Sequence, residues 1–371
     1  MKITSLLIAS TAALASVTVA QAADAIVAAE PEPLEYVRVC DAFGTGYFYI
    51  PGTETCLKIG GYVRVQVDGR SDYDFDAGTV EDSGYKTNTR GHLTLDAKSD
   101  TEFGTLASTI TLEANTNTTS DFFLDETFIE LGGLRIGYFY NYFDTGLPGE
   151  TVLSDGGPLG GAADVVGFLD RGGYIGGNTL NNSARYTYDG GAFTAYGQVD
   201  FFNSEKGWKT DEDGSADEIG INGMIAGKFG AVAIDLFGGY DFDHEDGVIA
   251  STLTAEIGPG SLGIFGVYST GPTAYWDFSE WTIGAEYAIA VSDKFTIAPG
   301  VQYWDKIVPT YDDYTGGDAW RVGVTADYKI TTGLTAKATI NYTSVDVGTV
   351  GGVDLGDADR WDGFLRLQRS F

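Results

Sequence analysis

Sixteen stretches of this chain alternate apolar and polar residues, the pattern of a β-strand with two different faces. In the stretch 58–68, Ile59 and Val63 fall on one face, whereas Lys58 and Arg64 fall on the other. A period of two residues places such sets on opposite faces of a sheet. The sixteen predicted strands are 58–68, 88–98, 105–113, 126–131, 134–142, 183–188, 192–202, 218–228, 231–240, 248–257, 261–269, 279–290, 296–304, 318–330, 334–345 and 361–371.

The connections between these strands alternate short and long. The short connections hold two to five residues, such as Gly132-Gly133, and the long ones include 69–86 and 305–317. Short periplasmic turns facing long outer loops are typical of an outer-membrane barrel, and a soluble β-sandwich has no reason to keep this alternation. The sequence therefore predicts an all-β fold, a 16-stranded antiparallel transmembrane β-barrel.

Aromatic residues on the apolar faces favour the same fold. With alternating strand direction, a first group falls at the outer rim and a second group at the periplasmic rim, as expected for two membrane interfaces. The outer group is Tyr240, Trp281, Trp320, Tyr342 and Trp361, and the periplasmic group is Tyr188, Tyr328 and Phe371.

The connection from Phe143 to Asn182 is forty residues long, contains eleven glycines and shows no regular period. A loop this long inside a compact fold is expected to be functional. We predict that 143–182 is the third outer loop, that it folds into the barrel and that it narrows the lumen. Among its acids, which also include Glu150, the predicted carboxylates of the constriction are Asp144, Asp155, Asp164 and Asp170.

The opposite side of the constriction is expected to carry cations, because arginines fall on the polar faces of several predicted strands. Opposed rows of charge would create an electric field across the constriction, where the surroundings screen charges less than bulk water does. The alternative is that these arginines pair with acids of the wall. With 22 basic and 53 acidic residues, a net charge of −31 favours a preference for cations. The predicted basic residues are Arg64, Arg90, Arg135, Arg185, Arg321 and Arg366.

The N-terminal region precedes the strands. Residues 1–22 read as a secretory signal peptide that ends in the small-x-small site Ala20-Gln21-Ala22. Residues 23–56 are predicted to be an extended lead-in followed by a hairpin, and 57–371 the barrel. In an exported chain, Cys40 and Cys56 suggest a disulfide that staples the hairpin, and two buried free thiols are the alternative.

Other functional classes find little support. The acidic charge argues against nucleic-acid binding, and neither His92 nor His244 has a serine or cysteine at motif spacing, so we expect no enzyme. We predict no cofactor and no metal site, because the acidic outer loops lack the spacing of a calcium loop. These loops are either a solvated surface or a divalent-cation bridge to lipopolysaccharide.

Two segments resemble a known family. VRVCDAFGTGYFYIPGTETCLKIGGYVRVQVDG (Val37 to Gly69) and GYKTNTRGHLTLDAKSDTEFGTL (Gly84 to Leu106) are similar to the general porins of alphaproteobacteria, notably of the order Rhizobiales. The resemblance implies a sixteen-stranded barrel in the outer membrane of a Gram-negative bacterium. It also implies a homotrimer with an inward third loop, through which small hydrophilic solutes and ions pass passively.

Two other functions stay open at this point. One is a channel of the same fold that selects sugars along an aromatic track, for which the candidates are Tyr62, Tyr196, Phe202 and Trp304. The other is a surface adhesin or a secreted β-rich binding protein.

Overall fold

The computed structural model describes residues 38–75, 78–81, 83–116, 122–159, 179–202, 218–310, 313–350 and 353–371. Within them, sixteen long strands form one antiparallel sheet that closes on itself, as predicted. No helix in this part of the chain is long and apolar enough to cross a membrane. The strands are β1 Cys56–Arg70, β2 Gly84–Thr101, β3 Gly104–Asn115, β4 Phe123–Leu131, β5 Leu134–Tyr140, β6 Leu180–Asp189, β7 Phe193–Phe201, β8 Ile219–Phe229, β9 Val232–Asp241, β10 Asp246–Ile257, β11 Gly260–Ser269, β12 Trp281–Ser292, β13 Phe295–Asp305, β14 Asp318–Thr331, β15 Leu334–Asp346 and β16 Asp357–Ser370.

The last strand closes the barrel against the first. β16 pairs with β1 from Tyr62 opposite Ser370 to Arg70 opposite Asp362. On its other side, β1 pairs with β2 along its whole length. Each of the sixteen strands thus has two neighbours, and the backbone leaves no open sheet edge to the lipid, where an unpaired amide would cost several kcal/mol.

The two faces of the wall differ as the alternation predicts. On β15, Ile340 is 51% exposed on the outer surface, whereas its chain neighbours Thr339 and Asn341 are buried inside. Leu365 on β16 is 66% exposed in the same way. Apolar side chains therefore cover the outside of the barrel, and polar side chains line the lumen, the reverse of a soluble protein.

The outer aromatic belt lies at the ends of the strands next to the long loops. The ring of Tyr342 lies 5.2 Å from that of Trp320 and 5.1 Å from that of Trp361, on three consecutive strands. Tyr328 and Phe371 are exposed at the opposite ends, next to the short turns. The two-level arrangement suits two membrane interfaces.

The N-terminal hairpin packs at the end of the barrel that carries the short turns. Cys40 and Cys56 form the predicted disulfide, with Cα atoms 6.0 Å apart, and the two-residue strand Phe48–Tyr49 pairs with the start of β1. The buried ring of Tyr47 lies 5.8 Å from the ammonium nitrogen of Lys58 and 5.4 Å from that of Lys98. Both lysines are on the lumen faces of their strands, so the hairpin sits against the inner wall. The predicted signal peptide 1–22 and the first part of the predicted N-terminal region, residues 23–37, lie outside the described residues.

Two adjacent residues on β2 test which face meets the lipid. We expect Leu95→Arg to lower the free energy of unfolding by about 2–4 kcal/mol, because it places a charge on the lipid face near the middle of the membrane. Thr94→Arg is the matched control: this side chain faces Thr111 in the lumen, beside Asp96. Urea unfolding of the protein refolded into lipid vesicles measures both. Equal losses for the two variants would contradict the assigned faces.

Candidate functional site

The loop that follows β5 is fixed at its start. Asn141 accepts a hydrogen bond from the backbone N–H of Phe143 (2.9 Å) and so begins the short 3-10 turn Tyr142–Asp144. The hydroxyl of Tyr142 donates to Asp235 on β9 over 2.5 Å and lies 2.9 Å from the hydroxyl of Thr252 on β10. This turn therefore directs the chain to side chains of strands that are not neighbours of β5.

A single carboxylate on β12 holds the next part of the loop. Glu286 accepts hydrogen bonds from the backbone N–H groups of Gly149 (2.6 Å), Thr151 (2.8 Å) and Val152 (2.8 Å). Glu286 is buried. Three converging N–H groups replace the hydration of a carboxylate in the way that a backbone nest binds an anion.

The same segment also contacts the three strands after β12. Leu153 and Gln302 on β13 bond twice, from the Leu153 N–H to the side-chain oxygen (2.6 Å) and from the side-chain nitrogen to the Leu153 carbonyl (3.0 Å). Thr151 donates to Asn341 on β15 over 2.9 Å, and the Glu150 N–H donates to Thr325 on β14 over 2.9 Å. The loop is thus bonded to four consecutive strands.

Glycines in the wall make room for this contact. A β-carbon at Gly284 on β12 would lie 2.7 Å from a methyl of Val152, and one at Gly300 on β13 would lie 2.9 Å from the β-carbon of Thr151. Both distances are too short for non-bonded carbons. Larger side chains at these lumen positions would therefore push the loop away from the wall.

The Glu150 side chain meets two cations of the wall. Its Oε1 lies 2.8 Å from Nζ of Lys337 on β15 and 3.2 Å from Nη1 of Arg366 on β16. Arg366 also donates to Gln66 over 2.6 Å. Lys337 and Arg366, together with Arg64, line a cavity of about 220 Å³. A negative group of the loop and a positive patch of the wall therefore face each other beside open space in the lumen.

The six predicted arginines divide between loop and wall. Among the described residues, Arg366 is the predicted arginine that forms an ion pair with the loop, through Glu150. Lys337, which pairs with the same carboxylate, was not among the predicted cations. Arg64 donates to Gln368 and Arg185 to Gln198. Three others form ion pairs with wall acids, the alternative considered above: Arg90 with Glu113 (3.0 Å), Arg135 with Glu130 (2.7 Å) and Arg321 with Asp362 (2.8 Å).

The aromatic residues considered for a sugar track are largely covered. Trp304 is 0% exposed, the ring of Phe202 packs edge-on against Tyr275 at 5.2 Å, and Arg185 stacks 4.4 Å above the ring of Tyr196. Tyr62 stacks on His92 at 4.5 Å. Within the described residues, these rings do not offer a continuous flat surface to a passing sugar.

Of the four predicted constriction acids, Asp144 and Asp155 lie in the described part of the loop, and Asp164 and Asp170 lie outside it. Both described carboxylates are exposed and form no ion pair with a described residue. Enclosure by the barrel raises the pKa of Asp144 to about 7, and the charge of Asp155 adds to the shift. Enclosure also raises the pKa of Asp155. Because water reaches both groups, added salt will weaken these shifts.

A second loop, residues 270–280 between β11 and β12, packs against the first one. Its Tyr275 hydroxyl donates to the buried Asp200 on β7 over 2.7 Å. The neighbouring Trp276 is buried, with its ring 5.6 Å from that of Phe143. Sequence reasoning missed this contact, although two large aromatic residues in a loop of an acidic surface were an available signal. It also missed Glu286, because a lumen-facing acid that binds a loop has the same strand spacing as any other lumen-facing acid. Glu150 was noted as an acid of the loop and was given no role.

These features define a class of protein: a closed sixteen-stranded barrel with an apolar outside, a charged lumen and one long loop bonded to the inner wall. The family model described as the porin subfamily matches residues 24–362. The chain belongs to this family, as its resemblance predicted. It is an outer-membrane channel protein and not an enzyme.

Three relatives cover most or all of the chain. Outer membrane protein IIIA of Rhizobium leguminosarum bv. viciae is 43% identical over 92% of this chain and 90% of that protein. The putative outer membrane protein y4fJ of Sinorhizobium fredii is 42% identical over 100% and 99%. Porin Omp2b of Brucella abortus is 31% identical over the full length of both.

Solved structures share the fold at low sequence identity. The outer membrane channel DcaP of Acinetobacter baumannii superposes with a TM-score of 0.61 at 12% identity, over 87% of this chain and 99% of that chain. A mutant of the porin from Rh. blastica gives 0.53 at 12% identity, over 85% and 100%. These likenesses support the barrel architecture.

The pKa of Asp144 predicts a pH-dependent charge in the lumen. The carboxyl is neutral below about pH 7 and ionised above it, so we expect the preference for cations to increase as the pH rises from 5.5 to 8.5. Reversal potentials under a KCl gradient measure this preference. In Asp144→Asn, this part of the increase should disappear, whereas Asp293→Asn, in the short turn after β12, should keep it. A pH dependence that persists unchanged in Asp144→Asn would assign it to another group.

Proposed function

We propose that this protein is a porin for the passive diffusion of small hydrophilic solutes and ions, with a preference for cations. The loop between β5 and β6, predicted as 143–182 but ended by the start of β6 at Leu180, acts as its constriction. The observation that carries the proposal is the bonding of Gly149–Leu153 to Glu286 on β12 and Gln302 on β13.

The topology supports a loop that crosses the lumen. In a ring of sixteen strands, β5 and β13 are eight strands apart, so they stand on opposite sides of the barrel. A loop that leaves β5 and bonds to lumen-facing side chains of β13 takes the shortest route across the interior. The water-filled cross-section is then smallest where residues 144–155 pass, and solutes are sorted there by size and charge.

The charge distribution supports cation preference. Arg90, Arg135 and Arg321 are neutralised by wall acids, and Lys337 and Arg366 share Glu150. Asp144 and Asp155 have no such partner among the described residues and remain available to passing cations. In a narrow, partly desolvated lumen, unpaired carboxylates attract cations more strongly than they would in bulk water.

The surroundings of the barrel form part of the same proposal. The exposed apolar faces and the two aromatic belts suit outer-membrane lipid, with lipopolysaccharide around the outer rim. The family resemblance supports a homotrimer. Light scattering of the protein in detergent measures the molar mass of the particle and hence the number of chains in it.

Recording of single channels in a planar bilayer tests the proposal. We expect stepwise, stable openings with linear current against voltage and a reversal potential on the cation side in a KCl gradient. Current that saturates with one sugar and is blocked by it would instead indicate a selective channel. Well-folded protein that inserts without conducting would contradict a diffusion role.

Glu150 provides a sharper test of the constriction. We expect Glu150→Gln to reduce the preference for cations, because it removes the negative charge that compensates Lys337 and Arg366 at the narrowest point. Reversal potentials before and after the substitution measure the change. Glu102→Gln, in the short turn after β2, removes the same charge outside the lumen and should leave the preference unchanged. A Glu150→Gln channel with unaltered selectivity would place the constriction elsewhere.

Glu286 tests the anchoring of the loop. We expect Glu286→Leu to increase the single-channel conductance and its noise, because three backbone N–H groups lose their acceptor and release the loop from the wall. Glu286→Gln is the matched control, since its amide oxygen can still accept from Thr151 and Val152, and its channel should be quieter than that of Glu286→Leu. If Glu286→Leu conducts like the unchanged protein, this carboxylate does not hold the constriction.

A further inference from the structure

Three side chains from three neighbouring strands converge on the lumen wall. They are His92 on β2, Glu113 on β3 and Asp125 on β4, and one ligand atom of each lies within 4.8 Å of the other two. We propose that this cluster is a binding site for a divalent transition-metal ion, with Zn²⁺ as the cation that suits it best. The sequence gives no sign of this site: the three residues are spread over thirty-four positions, and no short motif joins them.

Backbone pairing brings the three residues together. His92 and Glu113 are directly opposite each other in the pairing of β2 with β3. Between β3 and β4 the register shifts at Thr111 and Leu112, so Asp125 is an extra residue without a direct partner. Such a bulge re-aims a side chain. Here Asp125 is buried in the wall beside the other two, although strict alternation would not place both Asp125 and Glu126 on one face.

The imidazole of His92 lacks a hydrogen-bond partner among the described residues. Its Nδ1 atom is buried without one. Its Nε2 atom lies 3.7 Å from Oδ2 of Asp125, which is too long for a hydrogen bond. The ring is nevertheless held in place, because Tyr62 stacks on it with an angle of 11° between the rings. An oriented imidazole with unsatisfied nitrogens is a ready metal ligand.

Each of the two carboxylates also accepts hydrogen bonds from neighbouring side chains through one of its two oxygens. Oδ1 of Asp125 accepts from the hydroxyl of Tyr140 over 2.5 Å. Oε1 of Glu113 accepts from Arg90 (3.0 Å) and from Tyr62 (3.2 Å). Partners of this kind orient the first ligands of a metal. Arg90 also donates to Asn115 over 2.8 Å, so it keeps an acceptor when Glu113 turns toward a cation.

Charge and ligand type select the ion. Glu113 pairs with the guanidinium of Arg90, and Arg64 lies farther away, over the ring of Tyr62. Asp125 forms no ion pair with a described arginine, so the cluster keeps a negative charge that a cation would neutralise. One imidazole nitrogen and two carboxylate oxygens suit Zn²⁺, with water as a fourth ligand, whereas Mg²⁺ and Ca²⁺ prefer oxygen alone. The ligand atoms, which lie within 4.8 Å of one another, need to close by at most about 1.5 Å to reach the separation of ligands around tetrahedral zinc.

Metal binding is measured without recording channel current, so a negative result can be distinguished from a failure of the proposed diffusion function. We would titrate the refolded full-length protein with Co²⁺, follow the visible absorption bands of bound cobalt, and displace it with Zn²⁺. We expect one Co²⁺ per chain, displaced by Zn²⁺, and a loss of affinity of about 100-fold or more in His92→Asn and in Asp125→Asn.

His244→Asn is the matched control, because His244 is the other histidine of the chain and also contacts carboxylates, with Nδ1 3.1 Å from Asp241. It should bind Co²⁺ as the unchanged protein does. Circular dichroism and heat-modifiable migration in detergent establish that each variant is folded. Absence of stoichiometric cobalt binding, unchanged affinity in the folded His92→Asn and Asp125→Asn variants, or loss in His244→Asn alone would overturn the proposal.

Discussion

The pairing of the last strand with the first is the constraint on which the rest of this structure depends. Hydrocarbon offers no hydrogen bonds, so each backbone group that crosses the membrane needs a partner within the protein. The pairs from Tyr62–Ser370 to Arg70–Asp362 provide those partners for β1 and β16 and close the ring. Once the ring is closed, alternate side chains must point to lipid or to the lumen. The apolar outside and the polar inside follow from that geometry.

A polar interior changes what a loop can do. Residues 149–153 have no regular secondary structure, and their N–H groups need acceptors. The lumen wall supplies them as the side chains of Glu286 and Gln302. The aromatic contact between Phe143 and Trp276 adds an apolar cluster inside the barrel, formed by two loops and the wall. The interior is thus partly packed like a protein core and partly open to water.

The charges of the lumen show how far strand patterns can predict a site. Alternation placed Arg90, Arg321 and Arg366 on the lumen face from sequence, and it did so because the period of a strand is local. Which partner each arginine takes depends on neighbouring strands and on the loop. Arg90 and Arg321 meet wall acids, whereas Arg366 meets Glu150. Lys337 lies beside Arg366 because β15 pairs with β16, a relationship that no single strand reveals.

Except at the bulge that holds Asp125, the sequence by itself determined the number of strands and the face of the strand residues, and it indicated the disulfide between Cys40 and Cys56. These properties follow from period-two alternation, from turn composition and from the pairing of two cysteines in an exported chain. The tertiary structure decided which strand the long loop reaches, which carboxylate holds it and that His92, Glu113 and Asp125 share one place on the wall. Those outcomes depend on register and on closure of the ring, which bring together residues that are far apart in the chain.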